Sequence, residues 1–251
     1  MIDSDFLSEA SRIVGAGEER GIILRLMGAS AVRLHCPKFA QIHGKMRRLT
    51  DLDFATYGKW NDQIVKLFEE FHYHTRPMLQ IVLRGRSIFL NETTGAHADI
   101  FTDRLSMSHT IEFRNRLEVD RPTIPLIELL LEKLQIVRIT EKDIMDIVIL
   151  LAEHGLGPDD NDRINSPYFT QLLCDDWPLY YTATTNLEKT RIMLKNYASL
   201  LEDQGSVRTV EERIADLIDA ASKKPKTLRW KMRARVGTRR KWYNDVDEAR
   251  E

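Results

Sequence analysis

The amino-acid sequence predicts an α/β (α+β) fold, in which a mixed sheet is flanked by helices and followed by a mainly helical C-terminal part. Three observations lead to this prediction. Short apolar runs, such as 21–27 and 96–102, have the length of buried strands. Stretches of helical periodicity lie between such runs, so the first half of the chain mixes helices with strands. After residue 125 the regular apolar spacing is helical.

The first half is predicted to begin with an amphipathic helix, because Phe6, Ala10 and Ile13 recur at helical spacing. Gly28 breaks the apolar run that follows, and a short helix then ends before Cys36, since a residue preceding proline avoids helical backbone angles. In chain order, the predicted elements are a helix over 3–19, a strand over 21–27, a helix over 30–35, a polar basic linker over 38–50, a strand over 49–55, a helix over 58–73, strands over 78–83 and 87–91 around an Arg84-Gly85-Arg86 turn, a strand over 96–102, and a hairpin or irregular edge over 108–119.

The second half is predicted to be helical. Pro125 suits the first turn of a helix, and Thr140 is a plausible N-cap for the next one. The run 157–167 is rich in Asp, Asn, Gly and Pro, so the domain boundary is placed there, between 1–157 and 158–251. The helices predicted in this half cover 126–137, 141–154, 168–174, a segment from 179 or 185 to 204, and 207–221.

Composition describes a globular protein with no overall bias toward polyanions, since the formal net charge is -1 and 43% of the residues are hydrophobic. The two cysteines, Cys36 and Cys174, have no paired spacing that would indicate zinc or a disulfide framework. The N-terminus is acidic, and no apolar run approaches the roughly 18 residues of a membrane span. We therefore expect a cytoplasmic protein with no membrane partner.

Three aspartates form the candidate catalytic centre. Asp51 and Asp53 are two residues apart on a predicted strand, so their side chains point to the same face. Asp99 lies in an otherwise apolar run on another predicted strand, where a lone carboxylate is costly unless it is paired or metal-bound. Carboxylates are ligands that Mg²⁺ prefers, and Mn²⁺ is the alternative ion. The competing interpretation is structural, with Asp51 capping the preceding loop and Asp53 facing solvent on an edge strand.

Residues around these aspartates carry a family resemblance. A small-residue turn before a predicted helix precedes the Asp-x-Asp strand, and two helical motifs follow Asp99. The motifs read Met27-Gly28-Ala29-Ser30-Ala31-Val32, then Arg48-Leu49-Thr50-Asp51-Leu52-Asp53-Phe54, then Ala98-Asp99-Ile100, then Leu131-Glu132-Lys133-Leu134, then Lys142-Asp143-Ile144-Met145-Asp146-Ile147. Over about 20–155 the chain resembles the DNA polymerase beta-like nucleotidyltransferase superfamily, and most closely its AbiEii-like toxin branch with that branch's uncharacterised relatives.

The resemblance implies a role for each matched residue. Asp51 and Asp53 would be metal ligands, and Asp99 a third ligand or the base for the acceptor hydroxyl. Gly28 and Ser30 would bind nucleotide phosphates through backbone N–H groups and a hydroxyl. The remaining residues assigned to the nucleotide or acceptor side are Lys133, Asp143 and Asp146.

Several of these residues have a second interpretation. Arg48, with Lys45 and Arg47, would steer or clamp a triphosphate, or belong to an exposed basic loop. Lys133 and Asp146 would instead lie on a solvated stripe or form a structural ion pair. Ala29 departs from the family pattern, which has a second Gly or Ser at this place, and alanine does not suit a left-handed backbone.

The segment 223–251 is basic, with 11 Lys or Arg against 4 Asp or Glu. Between 223 and 243 it has ten basic residues, no acid and interleaved aromatics such as Trp230 and Trp242. Such a composition is typical of an RNA-binding arm. The alternative is an arm that packs across the rest of the chain, where acids outnumber bases by eight.

The sequence therefore predicts a metal-dependent nucleotidyltransferase that moves a nucleotidyl group from an NTP to a hydroxyl of an RNA, protein or small-molecule acceptor. A different class of function is a catalytically inactive protein of the same fold that binds nucleotide, RNA or a partner protein in a toxin–antitoxin-like or regulatory complex. Ala29 is the feature that favours this second prediction. The sequence carries no indication of an oligomeric state.

Overall fold

The computed structural model describes residues 3–75, 85–198, 201 and 204–246. The chain divides into two compact units. The first comprises Met1–Ser106 and Thr110–Pro125, and the second comprises Met107–His109 and Leu126–Glu251. The second unit is thus discontinuous in sequence, because three of its residues come from a turn between two strands of the first.

The first unit is built on a five-stranded mixed sheet. Its strands are β1 (Leu24–Met27), β2 (Asp51–Thr56), β3 (Tyr73–Thr75), β4 (Arg86–Asn91) and β5 (His97–Thr102). Their order is β1-β2-β5-β4-β3, with β2 parallel to β5 and the other neighbours antiparallel. A short antiparallel pair, β6 (Arg104–Ser106) and β7 (Thr110–Glu112), follows. The predicted mixed sheet is confirmed, while the strand predicted over 78–83 lies outside the described residues.

Four helices accompany this sheet: α1 (Asp3–Glu19), α2 (Gly28–His35), α3 (Ala40–Met46) and α4 (Asn61–Glu70). Aromatic side chains join helix and sheet, because the ring of Phe68 on α4 lies 5.4 Å from that of Phe54 on β2 and 4.9 Å from that of Phe89 on β4. Buried aromatic pairs of this kind each add about 0.5–1.5 kcal/mol beyond the area that they bury. This cluster packs α4 against the sheet.

The helix α3 corrects the prediction of a polar linker over 38–50. Phe39, just before it, is buried, and His43 within it is completely buried. The Nε of Arg33 on α2 donates a hydrogen bond of 3.0 Å to Nδ1 of His43. The many polar residues of this segment mask the helix in the sequence, since the two inward contacts come from an aromatic residue and a histidine.

The second unit is mainly helical, as predicted. Its helices are α5 (Leu126–Leu134), α6 (Glu141–Glu153), α7 (Ser166–Asp175), α8 (Trp177–Met193), α9 (Gln204–Lys223) and α10 (Leu228–Val236). Two residues of β8 (Leu156–Gly157) pair in parallel with β9 (Ile164–Asn165). No helix in the described ranges is long and apolar enough to cross a membrane.

The structure draws the division between units earlier than the sequence does. The predicted boundary at 157 groups α5 and α6 with the sheet, whereas the structure groups them with the C-terminal helices. Every residue of α5 is buried, so this helix needs partners on all sides, and α6, α7 and α8 supply them. The Gly- and Asp-rich run after α6 is a connection inside the second unit.

Candidate functional site

Asp51, Asp53 and Asp99 converge at one end of the sheet. Asp51 and Asp53 share a face of β2 because side chains alternate along a strand. The parallel register places Asp99 on β5 directly beside Asp53. One ligand oxygen from each of the three carboxylates lies within 4.8 Å of the other two. The site therefore presents three acidic side chains at a spacing that suits a shared cation.

The three carboxylates differ in exposure. Asp51 is exposed, Asp53 is half-buried and Asp99 is only 7% exposed. The hydroxyl of Thr50 donates a hydrogen bond of 2.9 Å to Oδ1 of Asp51, which restrains the most exposed of the three. The group is therefore open toward solvent at Asp51 and buried at Asp99.

Arg86 on β4 is the charged neighbour of Asp99. Ile88 pairs with Asp99 in the antiparallel register, so Arg86 lies two residues along on the same face. Its Nη2 donates to Oδ2 of Asp99, and its guanidinium stacks over the ring of Phe101 at 5.5 Å. Burial raises the pKa of Asp99, while Arg86 opposes the shift and the negative charge of Asp51 reinforces it.

Gly28 lies at the start of α2 and faces Asp53. Met27, the last residue of β1, pairs with Asp53, so the chain turns into the helix beside that carboxylate. Gly28 has a φ of +70°, and an added Cβ would lie 2.2 Å from Oδ2 of Asp53. Only glycine fits this turn, because any side chain would collide with the carboxylate.

The start of α2 offers backbone donors. The side chain of its N-cap residue, Met27, makes no capping hydrogen bond, and the first N–H groups of a helix lack intrahelical partners and favour negative charge. Ser30 is buried in the first turn. Ala29 is helical, so the left-handed conformation falls on Gly28 and the departure at Ala29 causes no strain.

The remaining predicted residues are placed as follows. Arg48 is exposed in the segment between α3 and β2, two residues before the end of that segment. The other three belong to the second unit. Lys133 and Asp146 are buried and form an ion pair, with 3.3 Å between Nζ and Oδ2, and Glu132 approaches the same Nζ at 2.9 Å. Asp143 completes a capping box with Thr140 at the start of α6.

Arg86 and Thr50 are site residues that the sequence-based prediction did not include. Arg86 belongs to a turn motif in the sequence, and its contact with Asp99 depends on the register between β4 and β5. Thr50 precedes Asp51 directly, so this adjacency was an available signal. Thr50 could therefore have been found from the sequence, whereas Arg86 becomes informative only once strand pairing is known.

Comparisons with known proteins give two structural matches. No protein-family model matches the chain, and no curated protein does so either. The antibiotic-resistance factor ANT(2'')-Ia is similar at 12% identity with a TM-score of 0.43, over 68% of this chain and 95% of that chain. An antigenic nucleotidyltransferase-like protein from Paracoccidioides brasiliensis is similar at 12% identity with a TM-score of 0.44, over 80% of this chain and 94% of that one. The AbiEii-like branch stays a prediction.

Proposed function

We propose that the protein is a metal-dependent nucleotidyltransferase that uses an NTP as donor and a hydroxyl group as acceptor. The observation that carries this proposal is the cluster of Asp51, Asp53 and Asp99 beside the start of α2. A carboxylate cluster supplies ligands for a divalent cation, and the helix start supplies donors for phosphate oxygens. The candidate metal ligands and the phosphate donors lie next to each other at Gly28, which is in contact with Asp53.

The residues present fit a divalent metal ion. Three carboxylate oxygens within 4.8 Å repel one another, and burial already disfavours the charged form of Asp99. A bound cation would relieve both effects. We assign Asp51, Asp53 and Asp99 as its ligands, with Mg²⁺ as the expected ion and Mn²⁺ as the alternative. When bound, the ion would polarise the phosphate oxygens and offset the charge that develops during transfer.

The chain's own residues would organise the substrates. The N–H groups at Gly28 and the hydroxyl of Ser30 would hold the triphosphate, and the exposed Arg48 would neutralise part of its charge. The oxygen of the acceptor hydroxyl would attack the α-phosphorus, and pyrophosphate would leave. Asp99 would accept the proton that this hydroxyl loses. The nucleotide-side roles of Lys133, Asp143 and Asp146 stay predictions, since two of them form a buried ion pair and one forms a cap.

The test of this proposal uses Asp53→Asn, which keeps the shape of the side chain and removes its charge. Each α-labelled NTP is incubated with Mg²⁺ or Mn²⁺ and a cell extract, and Mn²⁺ binding is followed separately by electron paramagnetic resonance. The matched control is Asp62→Asn, because Asp62 is exposed on α4. We expect label transfer and tight Mn²⁺ binding in the wild type and in Asp62→Asn, and the loss of both in Asp53→Asn. Transfer that survives in Asp53→Asn would overturn the proposal.

A second candidate is a protein of the same architecture that binds nucleotide or a partner without turnover. The guanidinium of Arg86 favours it, because it already occupies one oxygen of Asp99. Nucleotide binding by the wild type without transfer to any fraction of the extract would support this candidate. Its regulatory or toxin–antitoxin-like form stays a prediction.

A further inference from the structure

The basic C-terminal segment folds onto the second unit through its aromatic residues. The ring of Trp230 on α10 meets that of Tyr180 on α8 edge to face at 5.2 Å. Trp242 likewise meets Tyr181 at 5.3 Å and donates a hydrogen bond of 3.1 Å from Nε1 to Oγ1 of Thr182. The aromatic residues are therefore used for packing within the protein, which is the packed-arm alternative considered from the sequence.

Two of the basic residues are part of this packing. Lys226 lies over the rings of Tyr180 and Trp230, and its Nζ donates to three backbone carbonyls at the end of α9. Arg233 stacks over Trp177 at 4.8 Å and donates to the carbonyl of Gly237 at 2.7 Å. Both cations have partners that account for them, so they are not available to a ligand.

Another group of basic residues has a different environment. Lys231, Arg235, Arg239 and Arg240 are exposed, and no carboxylate in the described part of the chain forms an ion pair with any of them. By contrast, their neighbour Arg229 has a carboxylate 3.7 Å away on Asp175. These four cations lie on α10 and in the segment directly after it, where Nη2 of Arg239 donates to the carbonyl of Arg235 at 3.4 Å. Positive charge without carboxylate partners is therefore concentrated in this segment.

Apolar side chains lie among these cations. Leu228 and Met232 are 72% and 55% exposed, and they share a helix face because they are four residues apart. Lys231 and Arg235 are also four residues apart and flank that face. We call this group the α10 surface, defined by Leu228, Lys231, Met232, Arg235, Arg239 and Arg240.

We propose that the α10 surface binds single-stranded RNA. The exposed cations of α10 and of the segment after it match the phosphates of a nucleic acid backbone, and exposed apolar side chains match the faces of unstacked bases. A membrane is a poorer match, because a helix of nine residues with two exposed apolar residues offers little surface for insertion. The choice of RNA over DNA rests on the proposed function, since each ribose offers a 2′-hydroxyl as an acceptor.

The test is a binding titration without nucleotide or metal ion. A fluorescein-labelled, unpaired 20-nucleotide RNA is titrated with the full chain, and fluorescence anisotropy is read at several salt concentrations. The variant is Lys231→Ala with Arg235→Ala, both exposed, and the matched control is Lys189→Ala with Lys195→Ala, which removes the same charge from exposed positions of the same unit. We expect the affinity to fall about tenfold in the variant alone, and the slope of log affinity against log salt to decrease by about 1.4.

Three results would overturn the assignment. Equal affinity in the variant and in the control would show that the α10 surface is not the site. Equally tight binding of a DNA strand of the same sequence would contradict the choice of RNA. Tighter binding to phosphatidylserine vesicles than to RNA would identify a membrane surface instead. Failure of this proposal is separable from failure of the transferase proposal, because Asp53→Asn is expected to bind RNA as the wild type does.

Discussion

At the scale of single residues, Gly28 lets the backbone after β1 lie directly against the Asp53 carboxylate of β2. Its left-handed conformation and its lack of a Cβ are both required, since an added Cβ would lie 2.2 Å from Oδ2 of Asp53. Gly95 makes a useful comparison, because it has nearly the same φ of +71° and no atom within 4 Å of an added Cβ. An alanine at either position would strain the backbone, but only an alanine at position 28 would also collide with Asp53.

We predict that Gly28→Ala abolishes Mn²⁺ binding and nucleotidyl transfer, whereas Gly95→Ala leaves both unchanged. Both variants are expected to lose about 1 kcal/mol of stability from alanine in a left-handed conformation. Only Gly28→Ala must also move the Asp53 carboxylate. Electron paramagnetic resonance with Mn²⁺ and urea unfolding measure the two effects independently. Normal Mn²⁺ affinity in Gly28→Ala would show that Asp53 is not a ligand.

The site residues could be predicted to different extents from the sequence. Because side chains alternate along a strand, the Asp-x-Asp spacing predicts that Asp51 and Asp53 share one face. The apolar neighbours of Asp99 in the sequence predict that Asp99 is buried. Arg86 could not be found in this way, because nothing local to residues 86–91 specifies that β4 pairs with β5 in the observed register. The contact is made by pairing between strands, which is a tertiary property.

At the scale of elements, the capping box at the start of α6 shows a carboxylate with a structural use. The backbone N–H of Thr140 donates to Oδ2 of Asp143 at 3.1 Å, and the hydroxyl of Thr140 donates to the same oxygen at 2.7 Å. Asp143 therefore stabilises the helix start. The role of Asp143 at the nucleotide stays a prediction.

We predict that Thr140→Ala lowers the free energy of unfolding by about 1 kcal/mol, as the loss of an N-cap does. The control is Thr184→Ala, in the middle of α8, where the hydroxyl donates to the carbonyls of Tyr180 and Tyr181 in its own helix. That change is expected to be close to neutral, because alanine is the better helix former. Urea unfolding measures the free energy of unfolding of both variants. Equal losses in the two would show that Thr140 does not stabilise the protein as an N-cap.

Asp143→Ala extends the comparison. If the carboxylate acts only as a cap, this variant and Thr140→Ala lose similar stability and keep the same transfer rate. A transfer rate that falls in Asp143→Ala alone would support the predicted role at the nucleotide.

The elements themselves were predictable where apolar residues recur with a clear period. The helix predicted over 3–19 is confirmed by α1, and the one over 141–154 by α6. The helix α10 was not predicted, because its inward contacts are made by a tryptophan and an arginine within a basic sequence. Cation–π packing of this kind leaves no apolar stripe for periodicity to reveal.

At the scale of the whole molecule, a buried histidine makes stability depend on pH. Nε2 of His109 is 2.8 Å from Oγ1 of Thr182, and its backbone N–H donates to Oε1 of Gln135 at 2.9 Å. Burial lowers the pKa of His109 to about 4. An unfolded histidine has a pKa of about 6.5, so between these values the unfolded chain binds more protons than the folded one.

We therefore predict that the free energy of unfolding decreases as the pH falls through this range. His109 alone accounts for a loss of about 2 kcal/mol between pH 7.5 and pH 5. Urea unfolding, followed by tryptophan fluorescence, measures the loss in the wild type and in His109→Gln, in which it should be smaller by that amount. The control is His74→Gln, because His74 is exposed, and its loss should equal that of the wild type. If His109→Gln loses as much unfolding free energy as the wild type, His109 is not the source of the pH dependence.

The grouping of α5 and α6 is the part of the whole-molecule organisation that the sequence did not reveal. Turn-forming residues at 157–167 mark an exposed connection, but they do not indicate whether the helices on each side share a core. The burial of every residue in α5 decides that question, and burial depends on partners distant in sequence.

The turn at Met107–His109 also has a consequence for the order in which the protein is completed during synthesis. The carbonyl of Met107 accepts a hydrogen bond from Asn244, a residue 137 positions later in the chain, and the backbone N–H of Asn244 donates to the carbonyl of Ser108. At about 5–20 residues per second, a ribosome needs about 7–27 s to pass from one to the other. Throughout that interval the turn has been synthesised but Asn244 has not, so these contacts of the second unit can form only after residue 244 has been added to the chain.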